Sequence, residues 1–91
     1  MAAVGIEVAQ VFGANIIHAR ERAKLSQEEV GFRASLHRTE VGQLERGIRL
    51  ARIDTVVKLA GALGVPPGSL LDGMAWTPGD VRPGGFSIGE N

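Results

Sequence analysis

The residues best equipped for chemistry lie between positions 20 and 52, and the chemistry open to them is hydrogen bonding and charge. Arg20, Arg22, Lys24, Arg33, Arg38, Arg46, Arg49 and Arg52 stand there against Glu21, Glu28, Glu29, Glu40 and Glu45, a local surplus of three positive charges. The remainder is acidic: Lys58 and Arg82 face Asp54, Asp72, Asp80 and Glu90, Glu7 adds one more, and the whole chain is neutral. A neutral sum argues weakly against nucleic acid, but the distribution matters more than the sum. Arginine outnumbers lysine eight to two, which suits bidentate contacts to phosphate and guanine; a bias in genomic base composition gives the same excess. Bond-making chemistry finds little support. There is no cysteine, which excludes disulfides, thiolate catalysis and cysteine-based zinc sites. His18 and His37 have no paired spacing, and no nucleophile, carboxylate pair or phosphate loop accompanies them. The expectation is a protein that is not an enzyme and carries no metal or cofactor.

The elements that must position these side chains read as helices. The 91 residues allow one domain with a modest core. Val8, Phe12, Ile16, Ala19 and Ala23 recur at steps of three and four, predicting a first helix from Val8 to Lys24; Gly13 reads as a mild defect in it. Ser26-Gln27-Glu28-Glu29 has the capping-box pattern that opens a helix. That second helix is short, with Val30 and Ala34 inward, Phe32 pointing away from the core, and Ser35-Leu36 making the turn. A third helix is predicted from about His37 to Arg46, closed by Gly47. A fourth runs from about Arg52 to Leu63, with Ile53, Val56, Val57, Ala60 and Leu63 as its apolar residues, and a last short turn spans Ser69 to Asp72. Beyond Gly73 come turn signals, scattered apolar residues and one alternating stretch, Phe86-Ser87-Ile88. No apolar run approaches a membrane span, and the first seven residues lack the charged leader and apolar stretch of a signal peptide. The default is a soluble cytoplasmic protein.

A short capped helix, a tight turn and a second short helix ending at glycine form a helix-turn-helix over residues 26–47. The second helix must pack on one face and enter a DNA groove with the other. At about 100° per residue, Val41 and Leu44 define the inward side. Thr39, Gly42, Gln43 and Arg46 then face outward, with Arg38 projecting from the helix N-terminus. Arginine and glutamine can bind base edges bidentately, and threonine offers a hydroxyl and a methyl. Arg38, Thr39 and Gln43 are the candidate base-reading residues. Two such helices related by a two-fold axis would read half-sites about 34 Å apart. The partners expected are therefore double-stranded DNA and a second copy of the chain.

Residues 12–72 resemble the phage-repressor and Cro-like helix-turn-helix family of transcriptional regulators, also called the xenobiotic-response-element family. Leu25-Ser26-Gln27-Glu28-Glu29 together with Leu44-Glu45-Arg46-Gly47 carries the resemblance, supported by Ile16 to Glu21 and Leu59 to Val65. It implies an all-α, compact five-helix lambda-repressor-like domain over residues 1–73, with a disordered, irregular or β-like tail over 74–91. It implies that Arg38, Thr39 and Gln43 sit where family members read bases, and that Gln27 contacts a phosphate at the start of the first motif helix. Arg46 and Arg49 match the loop that follows the DNA backbone, and Arg52 is a further phosphate candidate. Arg20 and Glu45 match a partly buried ion pair. The chain departs from the pattern at Ser35, where glycine is common and a positive φ is needed. It departs at His37, where the loss of Ser or Thr should weaken the start of the third helix. Gly31 replaces alanine, Ala51 replaces proline, and Glu40 places an acid beside the reading face.

Two further readings compete with a homodimeric repressor acting on a palindromic operator. One is an antitoxin or partner-controlled regulator, with Trp76, Phe86 and Ile88 of the tail, Phe32 or the N-terminal arm as the protein-binding surface. The other is a pure interaction module without DNA binding.

Overall fold

The structure, a computed structural model, describes residues 4–89. Met1–Ala3, which belong to the segment weighed above as a leader, lie outside it, as do Glu90 and Asn91. Four α-helices come first: α1 (Val4–Ala23), α2 (Gln27–Ala34), α3 (Arg38–Glu45) and α4 (Ile53–Leu63). The fifth helical element, Pro67–Leu71, is a single 3₁₀ stretch and not an α-helix. It is only five residues long and Asp72 leaves it at ψ 138°, so one tight turn forms and no α-helical run follows. A two-stranded antiparallel ribbon follows, β1 (Met74–Thr77) and β2 (Gly85–Ile88), in the register Met74↔Ile88, Ala75↔Ser87, Trp76↔Phe86, Thr77↔Gly85. The fold is thus predominantly helical with a β tail. The alternation at Phe86–Ile88 marked only one of its two strands.

One core joins the helices. Phe12, Ile16, Val30, Ala34, Val41, Leu44, Leu59, Ala60, Leu63 and Leu70 are buried together, and full burial of each large side chain contributes about 1.5–3 kcal/mol. α1 packs on α3, α4, the 3₁₀ stretch and β2, while α2 packs on α3 and α4. Gly13 is no defect. A Cβ there would collide with the backbone carbonyl oxygens of Leu44 and Glu45, so glycine is what lets α1 cross the end of α3. Asn15 was not singled out from the sequence; its Nδ2 donates to the Leu70 and Asp72 carbonyls, both at 2.9 Å, and ties the 3₁₀ stretch to α1.

Of the apolar residues that outline α4, Ala60 and Leu63 are buried and Val56 packs on the core, but two are not inward. Thr55, Leu59, Ala60, Ala62 and Leu63 are buried, whereas Ile53 is 85 % and Val57 57 % exposed. Both lie one turn apart on a row that ends at Gly61, which no other element approaches.

Candidate nucleic-acid interface

The motif begins at α2. Ser26 Oγ accepts from the Glu29 amide at 3.0 Å, and the Ser26 amide donates to Glu29 Oε1 at 2.8 Å, a complete capping box. Those bonds to Ser26 hold the Glu29 carboxyl below its ordinary range. Ser35 ends the helix at φ 56°, ψ 42°, the left-handed geometry that the missing glycine foreshadowed. Lys24 takes a similar φ of 59° between α1 and α2, with no sequence signal to announce it.

His37 does not leave α3 uncapped, contrary to the expectation from its residue type. Its imidazole Nδ1 accepts from the Thr39 amide at 3.1 Å, supplying the acceptor that a serine hydroxyl would have supplied. From that start α3 turns Val41 and Leu44 fully inward and leaves Arg38, Thr39 and Arg46 exposed, with Gln43 half-buried beside them. One face of one short helix therefore carries four side chains capable of bonding to nucleic acid.

A partly buried ion pair fixes that helix to α1. Arg20 Nε lies 2.5 Å from Glu45 Oε2, and Arg20 Nη2 donates to Glu45 Oε1 at 3.1 Å. A third guanidinium bond, Nη1 to the Leu25 carbonyl at 3.1 Å, reaches the turn before α2. The Glu45 carboxylate, 4 % exposed, holds the Arg20 guanidinium above its ordinary value through this hydrogen bond, against the opposing effect of burial. Gln27 joins the network by donating Nε2 to Glu45 Oε1 at 2.8 Å. Its amide is thereby oriented at the first turn of α2, next to the α3 face. Gly42 has a role here that its lack of a side chain concealed. A Cβ on it would press on Arg46 Nη1 at 3.3 Å and meet the Gln27 amide at 3.7 Å, so the glycine leaves space for both.

Arg49 returns along the same face. Its Nη1 donates to Gln43 Oε1 at 3.1 Å, and its Nη2 lies 3.6 Å from Glu40 Oε2. Arg52, at the start of α4, sits 3.3 Å from Asp54 Oδ1, and both groups are largely exposed. Among the described residues, no three His, Cys, Asp or Glu side chains gather as a metal site would require. No helix among them is long and apolar enough to cross a membrane.

The helix-turn-helix family profile matches residues 16–70, a span that holds α2, α3 and the packing against them. The chain belongs to the helix-turn-helix family, in its XRE-type branch of DNA-binding transcription regulators. It is 40 % identical over 63 residues to the control protein C.BamHI of Bacillus amyloliquefaciens, covering 68 % of this chain and 78 % of that one. Among solved structures it is similar to the restriction-modification controller protein C.AhdI from Aeromonas hydrophila. That likeness has 37 % identity and a TM-score of 0.67, covering 68 % of this chain and 94 % of that one. A hypothetical transcription factor from Neisseria is similar at 33 % identity and a TM-score of 0.68, covering 70 % of this chain and 74 % of the other. The β ribbon lies outside the family span.

Proposed function

We propose that this regulator is a homodimer that reads a palindromic site in double-stranded DNA through α3, and that it acts in the cytoplasm on promoters of a restriction-modification kind. Arg38, Thr39 and Gln43 read base edges, and Gln27, Arg46 and Arg52 hold the backbone. The observation that carries this reading is the division of α3 into a face with no exposure at Val41 and Leu44 and a face that presents Arg38, Thr39, Gln43 and Arg46. The C.AhdI and C.BamHI likenesses support the regulatory setting. The row Ile53, Val57 and Gly61 supports the dimer: it is apolar, exposed and unused within one chain.

The test is selection of bound duplexes from a random pool, followed by stoichiometry on the selected site. A palindrome bound by two chains is expected. Arg38→Ala and Gln43→Ala should each relax discrimination at particular bases, by about 1–3 kcal/mol for a lost bidentate contact. Val57→Glu should give a monomer of unchanged helicity by sedimentation. Alanines on α3 that leave binding and base preference unchanged would overturn the assignment.

A second reading, in which a protein partner controls the regulator, draws on the ribbon. Trp76, Phe86 and Ile88 remain substantially exposed there. Co-purification of a partner that is lost on Trp76→Ser would support it.

A further inference from the structure

We propose that Arg49 is a positioning residue for Gln43: it fixes the Gln43 amide so that its two hydrogens face the groove, and Glu40 holds Arg49 to this task. The proposal rests on α3 reading DNA. It makes Gln43 select guanine over adenine.

The chemistry of the pair leaves one orientation. A guanidinium has only donors, so an amide facing it must present its oxygen. Gln43 Oε1 does so, accepting from Arg49 Nη1 at 3.1 Å. Turning the amide over would set its N–H groups against guanidinium N–H groups. With the oxygen engaged, Nε2 and both its hydrogens point elsewhere on a half-buried side chain that borders the outward face. Guanine presents two acceptors in the major groove, N7 and O6. Adenine presents one acceptor and one donor, and its bidentate pairing with glutamine needs the amide oxygen. Gln43 therefore reaches the groove as a double donor.

The backbone brings Arg49 to this place. Gly47 adopts φ +70°, with the Gln10 backbone close against the position a Cβ would take, so the chain reverses where α1 backs it. The Gly47 amide donates to the Leu44 carbonyl at 3.1 Å and the Ile48 amide to the Gln43 carbonyl at 3.2 Å. These bonds return residue 49 along the side of α3 that bears Glu40 and Gln43, three residues apart on one helix face. Glu40, with its side chain 27 % exposed, stands 3.6 Å from Arg49 Nη2. It offsets the guanidinium charge and competes with any phosphate for it. The acid beside the reading face, unwelcome for affinity, is accounted for as the anchor of the residue that orients Gln43.

The experiment repeats the duplex selection with wild type, Gln43→Ala, Arg49→Met and Glu40→Gln, and measures salt dependence on the wild-type site. Gln43→Ala identifies the base position that Gln43 reads. Wild type should favour guanine over adenine there by about tenfold. Arg49→Met should reduce this to within about threefold while preferences at other positions and the salt slope stay the same. Glu40→Gln frees the guanidinium for phosphate and should steepen the salt slope by about one unit. If Arg49→Met instead weakens all sequences alike and lowers the slope by about one unit, Arg49 is an ordinary phosphate contact and the proposal is overturned. A wild-type preference for adenine at that position also overturns it. A wild type that selects no common sequence overturns the DNA reading itself, a result distinct from either.

Discussion

The helical unit and the β ribbon solve the problem of holding side chains in opposite ways. In the helices, Ile16, Val30, Val41, Leu44, Leu59 and Leu70 are all but sealed from water, and a single carboxylate, Glu45, organises Arg20 and Gln27 around it. In the ribbon, Trp76 and Phe86 meet edge to face with ring centres 5.0 Å apart, yet both remain about half exposed. A two-stranded ribbon is marginal in water unless something packs on it, and here α1 supplies that packing from one side. The difference teaches where a rigid exposed surface comes from. α3 is only eight residues long, too short to hold itself as a helix, so its outward face is as fixed as its inward contacts make it.

The strongest way to break this contrast is to remove the organising pair. Arg20→Ala takes the guanidinium from the Glu45 carboxylate, 4 % exposed in the intact pair, and leaves Gln27 as its remaining side-chain partner. Its loss should cost about 3 kcal/mol by urea denaturation. That is a large share of the roughly 5–14 kcal/mol expected for a domain of this size. A cost below about 1 kcal/mol, the range of exposed pairs, would mean that packing alone fixes α3. Gly13→Ala tests the same junction sterically. Its methyl must displace the backbone at the end of α3, and overpacking of this kind typically costs about 1–3 kcal/mol. Alanine is otherwise the better helix former, so a stabilised variant would refute the close crossing.

The ribbon can be followed separately, because Trp76 is the only tryptophan. Its fluorescence reports the ribbon, while far-UV circular dichroism reports the helices. If the ribbon opens as a unit of low local stability, the fluorescence transition should precede the helical one on heating by several degrees. Coincident transitions would show that α1 binds the ribbon into the same cooperative fold.

These contrasts also mark what could be read from the chain alone. The capping box at Ser26 and Glu29 and the inward pair Val41 and Leu44 are local signals, set by residues within one or two turns of each other, so α2 and α3 were legible. Gly13 was not, because its reason is a carbonyl some thirty positions away. Ile53 and Val57 misled because an apolar residue says nothing about whether its partner lies in the same chain. β1 had no strand signal of its own; Met74–Thr77 pairs through Phe86 and its neighbours. Of the candidate site, the outward placement of Arg38, Thr39 and Arg46 was legible, but not the links Arg49–Gln43 and Gln27–Glu45, which depend on how loops return.

His37 was misread for a reason worth testing, since residue type alone hid an acceptor. His37→Ala should cost about 0.5–1 kcal/mol by removing the bond to the Thr39 amide, and His37→Ser should restore most of it. Equal stability of all three would show that α3 needs no cap because its packing suffices, which would strengthen the contrast with the ribbon.

The smallest effect concerns Glu29, and its sign follows from the direction of its shift. Its carboxyl is held below the ordinary range in the folded chain by the bonds to Ser26. The ionised form is therefore favoured by folding, and the stabilisation is present in full above the ordinary carboxylate range. It is lost as the pH falls through the depressed folded value. Glu29→Gln keeps an oxygen acceptor for the Ser26 amide but removes the charge at the positive end of α2. The variant should be less stable than wild type near neutrality, and the difference should close as the pH falls through the depressed folded value. Because the effect enters through α2, it should appear in the circular dichroism transition and leave Trp76 fluorescence in the ribbon unmoved wherever the two transitions separate. A difference between the two proteins that persists unchanged into acid would mean that hydrogen-bond geometry, not charge, is what Glu29 contributes.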